Sequence, residues 1–149
     1  MQELYESVKA KLDADATLRT LLHTVSDPML SRVFKTSVQD HTQAAQDDVR
    51  WITFNVMGDV SEPCEQIADV KIVDFNIHVW ARENTEEVVE DIIEIVRGIL
   101  HDANLATAEL LAWYCHWQAT QQPAFDDQTL TWHAISRYRC MVCLVADLP

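Results

Sequence analysis

The stretch 70–100 constrains the fold more than any other part of the sequence. Its first half alternates, with Phe75, Ile77 and Val79 on one side, which is the period-two pattern of a half-buried strand. Its second half repeats apolar residues at helical spacing and predicts an amphipathic helix with one wide buried face. The link between the halves is short and polar. We therefore expect the helix to fold back over the apolar face of a sheet.

Three more segments alternate in the same way, at 50–57, 113–120 and 130–145, and they predict strands. Residues 36–48 and 121–128 are polar and are predicted as loops. Two short helical patterns precede the first of these strands. The order predicts an α+β fold, a four-stranded antiparallel sheet with one long helix and two short N-terminal helices packed on one face. One domain over 1–149 is expected from the length.

The charge balance limits the possible partners. Eleven Lys and Arg against 24 Asp and Glu give a net charge of −13. So acidic a surface repels phosphates, which argues against sequence-specific binding of nucleic acid. No apolar run approaches the length of a membrane span, and no membrane partner is expected.

Few residues carry the patterns of known chemistry. With two glycines in the chain, no glycine-rich phosphate or dinucleotide loop is present. Cys140 and Cys143 form a Cys-x-x-Cys pair, but three residues apart on a strand they point to opposite faces, which favours structural thiols. His78, His116 and His133 lie on neighbouring predicted strands, and we interpret them as surface or hydrogen-bonded residues rather than zinc ligands. We predict no catalytic residue, no cofactor and no metal.

Trp80 is the more informative side chain. The alternation places it opposite the face of Phe75, Ile77 and Val79, on the outer side of the sheet. A large aromatic residue there is either covered by a loop or belongs to a protein interface, where tryptophan is a frequent anchor.

The layout resembles the tail-completion and tail-terminator proteins of long-tailed bacteriophages. The segments that carry the resemblance are the leucine pattern Leu12, Asp15, Leu18, Leu21 and Leu22, then Arg32-Val33-Phe34, then 51–55, then the 75–100 strand–helix unit with Val79-Trp80, and the final two-stranded segment. The resemblance covers nearly the whole chain, and it lies in the pattern of predicted elements rather than in a sequence motif. The sequence departs from it in the polar 36–48 segment and in its tryptophan content.

The resemblance implies a structural virion protein without catalytic residues. Such proteins form a homo-oligomeric ring, usually a hexamer, at the head-proximal end of the tail tube. The implied partners are further copies of the chain, the tail tube protein and the head–tail connector or stopper protein, with DNA passing through the ring. The implied location is the tail or neck of the virion, after assembly in the host cytoplasm.

Candidate contact residues follow from the predicted exposed positions. Trp80 lies on the outer sheet face, and Arg82 and Glu83 lie where the central strand meets the long helix. The two predicted loops supply the remaining candidates, which are Gln122, Phe125, Asp126 and Asp127 in one and His41 and Gln43 in the other.

Two alternatives stay open at this point. One is another neck or adaptor protein of a phage, with the same fold at a different level of the particle. The other is a small α+β enzyme or ligand-binding domain that uses His and Cys groups. The second predicts that Cys115, His116 and His133 cluster in a concave pocket.

Overall fold

A computed structural model describes residues 2–24, 29–35, 50–62, 69–83, 85–128 and 130–148. Three α-helices lie in these ranges: α1 (Gln2–Asp13), α2 (Ala16–Leu21) and α3 (Glu87–Leu100). A 3-10 helix covers Val145–Asp147. No helix in the described ranges is both long enough and apolar enough to cross a membrane.

The N-terminal helices form for local reasons. In α1, Leu4, Val8 and Leu12 recur every four residues and are fully buried, so one face of the helix packs inward. Asp15 caps α2, because its Oδ1 accepts a hydrogen bond from the Leu18 backbone N–H at 2.8 Å. This cap starts α2 as a helix separate from α1.

Five strands form one sheet. They are β1 (Val33–Lys35), β2 (Arg50–Glu62), β3 (Val70–Ala81), β4 (Leu110–Asp126) and β5 (Thr131–Leu144). Their order is β1-β2-β3-β5-β4, with β1 parallel to β2 and every other pair antiparallel. The prediction of a four-stranded antiparallel sheet was therefore wrong in detail. The added strand spans only three residues, too few to produce a period-two pattern.

The predicted loop at 121–128 was also largely wrong. Gln122, Phe125 and Asp126 belong to β4, and only 127–128 of that segment are in the turn before β5. The register of β4 against β5 shifts three times, between Ala112 and Tyr114, Trp117 and Ala119, and Gln121 and Ala124. Each shift is a bulge that reverses the side-chain alternation, so the sequence pattern no longer looks like a strand.

The core lies between the helices and one face of the sheet. Phe54, Phe75 and Tyr138 form a row across β2, β3 and β5, with ring centroids 5.1 and 5.4 Å apart. Val89, Ile92 and Val96 of α3 belong to the same cluster and are fully buried. All three described helices thus contribute to one layer, and the opposite face of the sheet, here called the outer face, is left to other contacts.

Candidate protein interface on the outer sheet face

A row of aromatic side chains crosses the outer face. Trp51 of β2 pairs with Trp80 of β3, and Trp80 pairs with His133 of β5, so the three side chains lie at one level of the sheet. The Trp80 and His133 rings stack with centroids 3.7 Å apart and planes 2° apart. The Trp51 and Trp80 rings are 6.2 Å apart and 8° from parallel. The four side chains of Trp51, Trp80, His133 and His78 are here called the aromatic row.

Hydrogen bonds fix the orientation of the row. The indole Nε1 of Trp80 donates to Oγ1 of Thr53 at 3.1 Å. Nδ1 of His78 and Nε2 of His133 lie 2.8 Å apart, so one of the two carries the shared proton. Because both histidines and Trp80 are held by neighbours, the row is a rigid platform rather than a set of free side chains.

The row is only partly protected from solvent. Trp51 is 2% exposed and has the guanidinium carbon of Arg82 5.5 Å from its ring centroid. Trp80 and His133 are half-buried. A rigid, partly exposed aromatic surface on a sheet face is typical of a protein contact, since such groups bury area with little loss of entropy.

Two arginines of β5 lie on the same face as the row, farther along the strand. Arg139 donates from Nε and Nη2 to the two carboxylate oxygens of Asp74, at 2.8 and 2.9 Å. This bidentate bond to Arg139 holds the pKa of Asp74 below its usual value. Arg137, two residues before, is exposed and has no ion pair among the described residues. The outer face therefore presents positive charge on a strongly acidic chain.

The exposed side of α3 has the opposite charge. Five acidic residues lie along its first turns, all exposed and without an ion pair in the described part of the chain: Glu86, Glu87, Glu90, Asp91 and Glu94. The buried side of the helix is made by Val89, Ile92 and Val96. The acidic side chains, called here the acidic side of α3, therefore point away from the sheet.

The predicted contact residues next to α3 have different surroundings. Glu83 accepts a hydrogen bond from Nε of Arg50 at 2.5 Å, and Arg50 also donates from Nη1 to the Leu21 carbonyl at 2.8 Å. Glu83 thus helps to tie β2 to α2 within the chain. Arg82 is exposed and lies over Trp51, beside the aromatic row.

The remaining candidates lie at the end of the β4–β5 hairpin or outside the described residues. Phe125 is 42% exposed, and its ring packs on Trp132 with centroids 5.3 Å apart. Asp126 accepts a hydrogen bond from the backbone N–H of Gln128, which closes the turn beside Asp127. Gln122 is exposed on β4. The candidates His41 and Gln43 lie outside the described residues.

The cluster required by the enzyme alternative is not formed. His116 pairs with Arg139 and His133 with Ala124, so six residues of β5 separate them, about 20 Å along a strand. The imidazole of His116 is instead 3.2 Å from a carboxylate oxygen of Asp102. Cys115 is buried in the core, and burial raises the pKa of its thiol to about 12. The described residues contain no group of three or more His, Cys, Asp or Glu side chains suited to a metal ion.

The sequence pattern placed Trp80 on the outer face and His78 and His133 on neighbouring strands, but Trp51 was not among the predicted contact residues. Trp51 alternates with Ile52 and Phe54, which is the same signal that placed Trp80 on the outer face. The contact between His78 and His133 depends on the register of β3 against β5, which the sequence does not specify.

Comparisons with known proteins define the class of the molecule as a structural protein of a phage-type virion tail. The chain belongs to the tail completion protein gp17 family, whose model matches residues 6–142. In fold it is similar to a chain of the solved structure "Virion of native gene transfer agent (GTA) particle", with a TM-score of 0.70 and 15% identity, over 93% of this chain and 92% of that one. Comparison with curated protein sequences gives no match. The resemblance drawn from the sequence pattern is confirmed at the level of the family.

Proposed function

We propose that this protein forms a closed ring at the head-proximal end of the tail tube, where it ends tube assembly and joins the tail to the head connector. The observation that carries the proposal is the family match over residues 6–142. The fold likeness to a chain of a gene transfer agent virion agrees with it. No second candidate function is favoured by a specific observation.

The surfaces described above supply what a ring subunit needs. A closed ring of identical subunits made by head-to-tail contacts requires two different patches on each copy. The outer sheet face with Trp80 and Arg82 is one proposed patch. We assign Glu83 to the margin of the same contact, where its bond to Arg50 orients it.

The free end of the β4–β5 hairpin is proposed to contact the tail tube or the connector. It combines the exposed ring of Phe125 with the carboxylates of Asp126 and Asp127, and Gln122 lies beside them on the edge strand. An apolar centre with a polar rim is the usual composition of a protein contact.

Deletion of the gene from the parent particle tests the role. Without a protein that ends the tube and joins the head, we expect heads and tails that remain separate and tubes of variable length, seen by electron microscopy. Complementation with Trp80→Ala is expected to restore few joined particles. Complementation with Trp113→Ala, at a tryptophan of β4 that is 48% exposed, is expected to restore most of them. Normal joined particles from the deletion strain would refute the proposal.

A further inference from the structure

We propose that the outer sheet face of one copy binds the acidic side of α3 of the next copy. This inference rests on the proposed ring function and deepens it, because it names the two patches that meet. The partner that covers the outer face is then a second copy of this chain.

The first support is the uneven distribution of charge. Three of the eleven cationic side chains lie on the outer face: Arg137 and Arg139 by strand register, and Arg82 by its contact with Trp51. On that face Arg139 neutralises Asp74, and Asp126 lies at the far end of the β4–β5 hairpin. On a chain of net charge −13, Arg137 is an exposed cation of this face without an ion pair among the described residues, so a negatively charged surface meets attraction there.

The second support is that the acidic side of α3 lacks partners within the described chain. Glu90 and Glu94 are one helical turn apart, about 6 Å along the axis. Arg137 and Arg139 are two residues apart on one face of β5, about 7 Å. Because Arg139 is already bonded to Asp74, Arg137 is the arginine of the two that a carboxylate of α3 would meet.

The third support is the aromatic row, which has Arg82 at one end and Arg137 four residues along β5 from His133, about 13 Å away. The stacked rings of Trp80 and His133 offer a rigid, half-buried surface that part of a helix can cover, and Arg137 then pairs with a carboxylate at the rim of the contact. Since the two patches differ, the contact is head-to-tail, and its repetition around an axis closes a ring.

Charge reversal tests the contact with the full-length protein. Arg137→Glu changes the outer face, and the double variant E90R/E94R changes α3. Each variant alone is expected to lose the ring, with the protein concentration needed for assembly raised about tenfold or more, because like charges then meet at every contact. Native mass spectrometry and light scattering after size exclusion measure the assembly.

Mixing the two variants gives the sharpest result. In a ring where the two variants alternate, the glutamate of the Arg137→Glu variant faces the basic α3 of the other variant. The unchanged Arg137 of that second variant then faces the acidic α3 of the first. We therefore expect an equimolar mixture to regain the wild-type ring with equal numbers of each variant. Recovery of this kind requires that the two patches face each other across subunits.

Matched controls separate this contact from a general effect of charge. Lys11→Glu reverses an exposed cation on α1, and E6R/E109R reverses two exposed acidic residues away from α3. Both controls are expected to assemble like the wild type, and all variants to show wild-type thermal unfolding by circular dichroism.

Three results would overturn the inference. Rings formed by Arg137→Glu and by E90R/E94R at the wild-type concentration would refute this contact and leave the ring itself intact. Loss of double-stranded DNA binding by Arg137→Glu, with its ring unchanged, would assign the outer face to DNA. A wild-type protein that stays monomeric at every concentration would count against both the contact and the ring.

Discussion

Trp80 and His133 stack face to face across β3 and β5, with ring centroids 3.7 Å apart. The contact lies on the side of the sheet that the described helices do not cover. It joins two strands that are far apart in sequence and central in the sheet, and it continues through Trp51 and His78. Packing of this kind stabilises the fold and also gives the outer face a defined shape.

The stacked pair predicts a measurable coupling. In a double-mutant cycle with Trp80→Ala and His133→Ala, we expect a coupling energy of about 1 kcal/mol, because an aromatic pair adds to the area that each ring buries alone. Urea unfolding of the four proteins measures it. Losses that add within about 0.3 kcal/mol would contradict the interaction.

The Asp74–Arg139 pair predicts a dependence of stability on pH. Because Arg139 lowers the pKa of Asp74 from its usual 3.8, the folded state holds the charged carboxylate more strongly than the unfolded state does. The contribution of this pair to the free energy of unfolding is present above about pH 4, and it is lost as the pH falls through the lowered pKa of Asp74. For this partly exposed pair we expect Asp74→Asn to cost about 0.5 kcal/mol at pH 7. The difference should vanish near pH 2, and one that persists there would contradict the account.

The buried thiols predict slow modification. Burial raises the pKa of Cys115 to about 12 and also raises the pKa of Cys140 and Cys143, so little thiolate is present at pH 8. We expect these three cysteines to resist a disulfide reagent in the folded protein and to react at once in guanidinium chloride. Mass spectrometry of the labelled peptides identifies each site. Fast labelling of Cys115 under native conditions would contradict the described core.

Arg97 is expected to fasten α3 to β4. Its guanidinium carbon lies 3.8 Å from the ring centroid of Trp117, which is a close cation–π contact. Arg97→Met keeps much of the aliphatic contact and removes the charge, and we expect it to cost about 0.5–1 kcal/mol in urea unfolding. Lys11→Met, at an exposed helical site, is the matched control and should change the free energy of unfolding little. Equal effects of the two substitutions would show that the contact between Arg97 and the indole of Trp117 adds nothing to the free energy of unfolding.

Much of the fold was predictable because its central parts follow simple periods. The strand–helix unit at 70–100 has an unbroken alternation followed by an unbroken apolar stripe, and it became β3 and α3. The membership of β1 in the sheet could not be predicted in this way. Three residues are too few to show a period, and the parallel pairing with β2 depends on tertiary packing. β4 was shortened in the prediction because its bulges and Pro123 interrupt the pattern.

The candidate interface was predictable only in part. Alternation alone put Trp80 on the outer face, because side-chain direction is a property of the strand itself. The stack with His133 and the pairing of Asp74 with Arg139 depend on the register between β3 and β5, which cross-strand packing sets in the folded sheet. The charge contrast between the outer face and α3 likewise depends on this register, which decides which charged side chains share a face of the sheet.

A three-dimensional reconstruction of the neck of the particle that carries this chain would show directly whether its copies form the proposed ring. We expect one closed ring of identical copies between the tail tube and the head connector. In that ring the outer sheet face of each copy, with Trp80 and Arg137, covers α3 of its neighbour. A chain found elsewhere in the tail, or present as isolated copies without a ring, would contradict it.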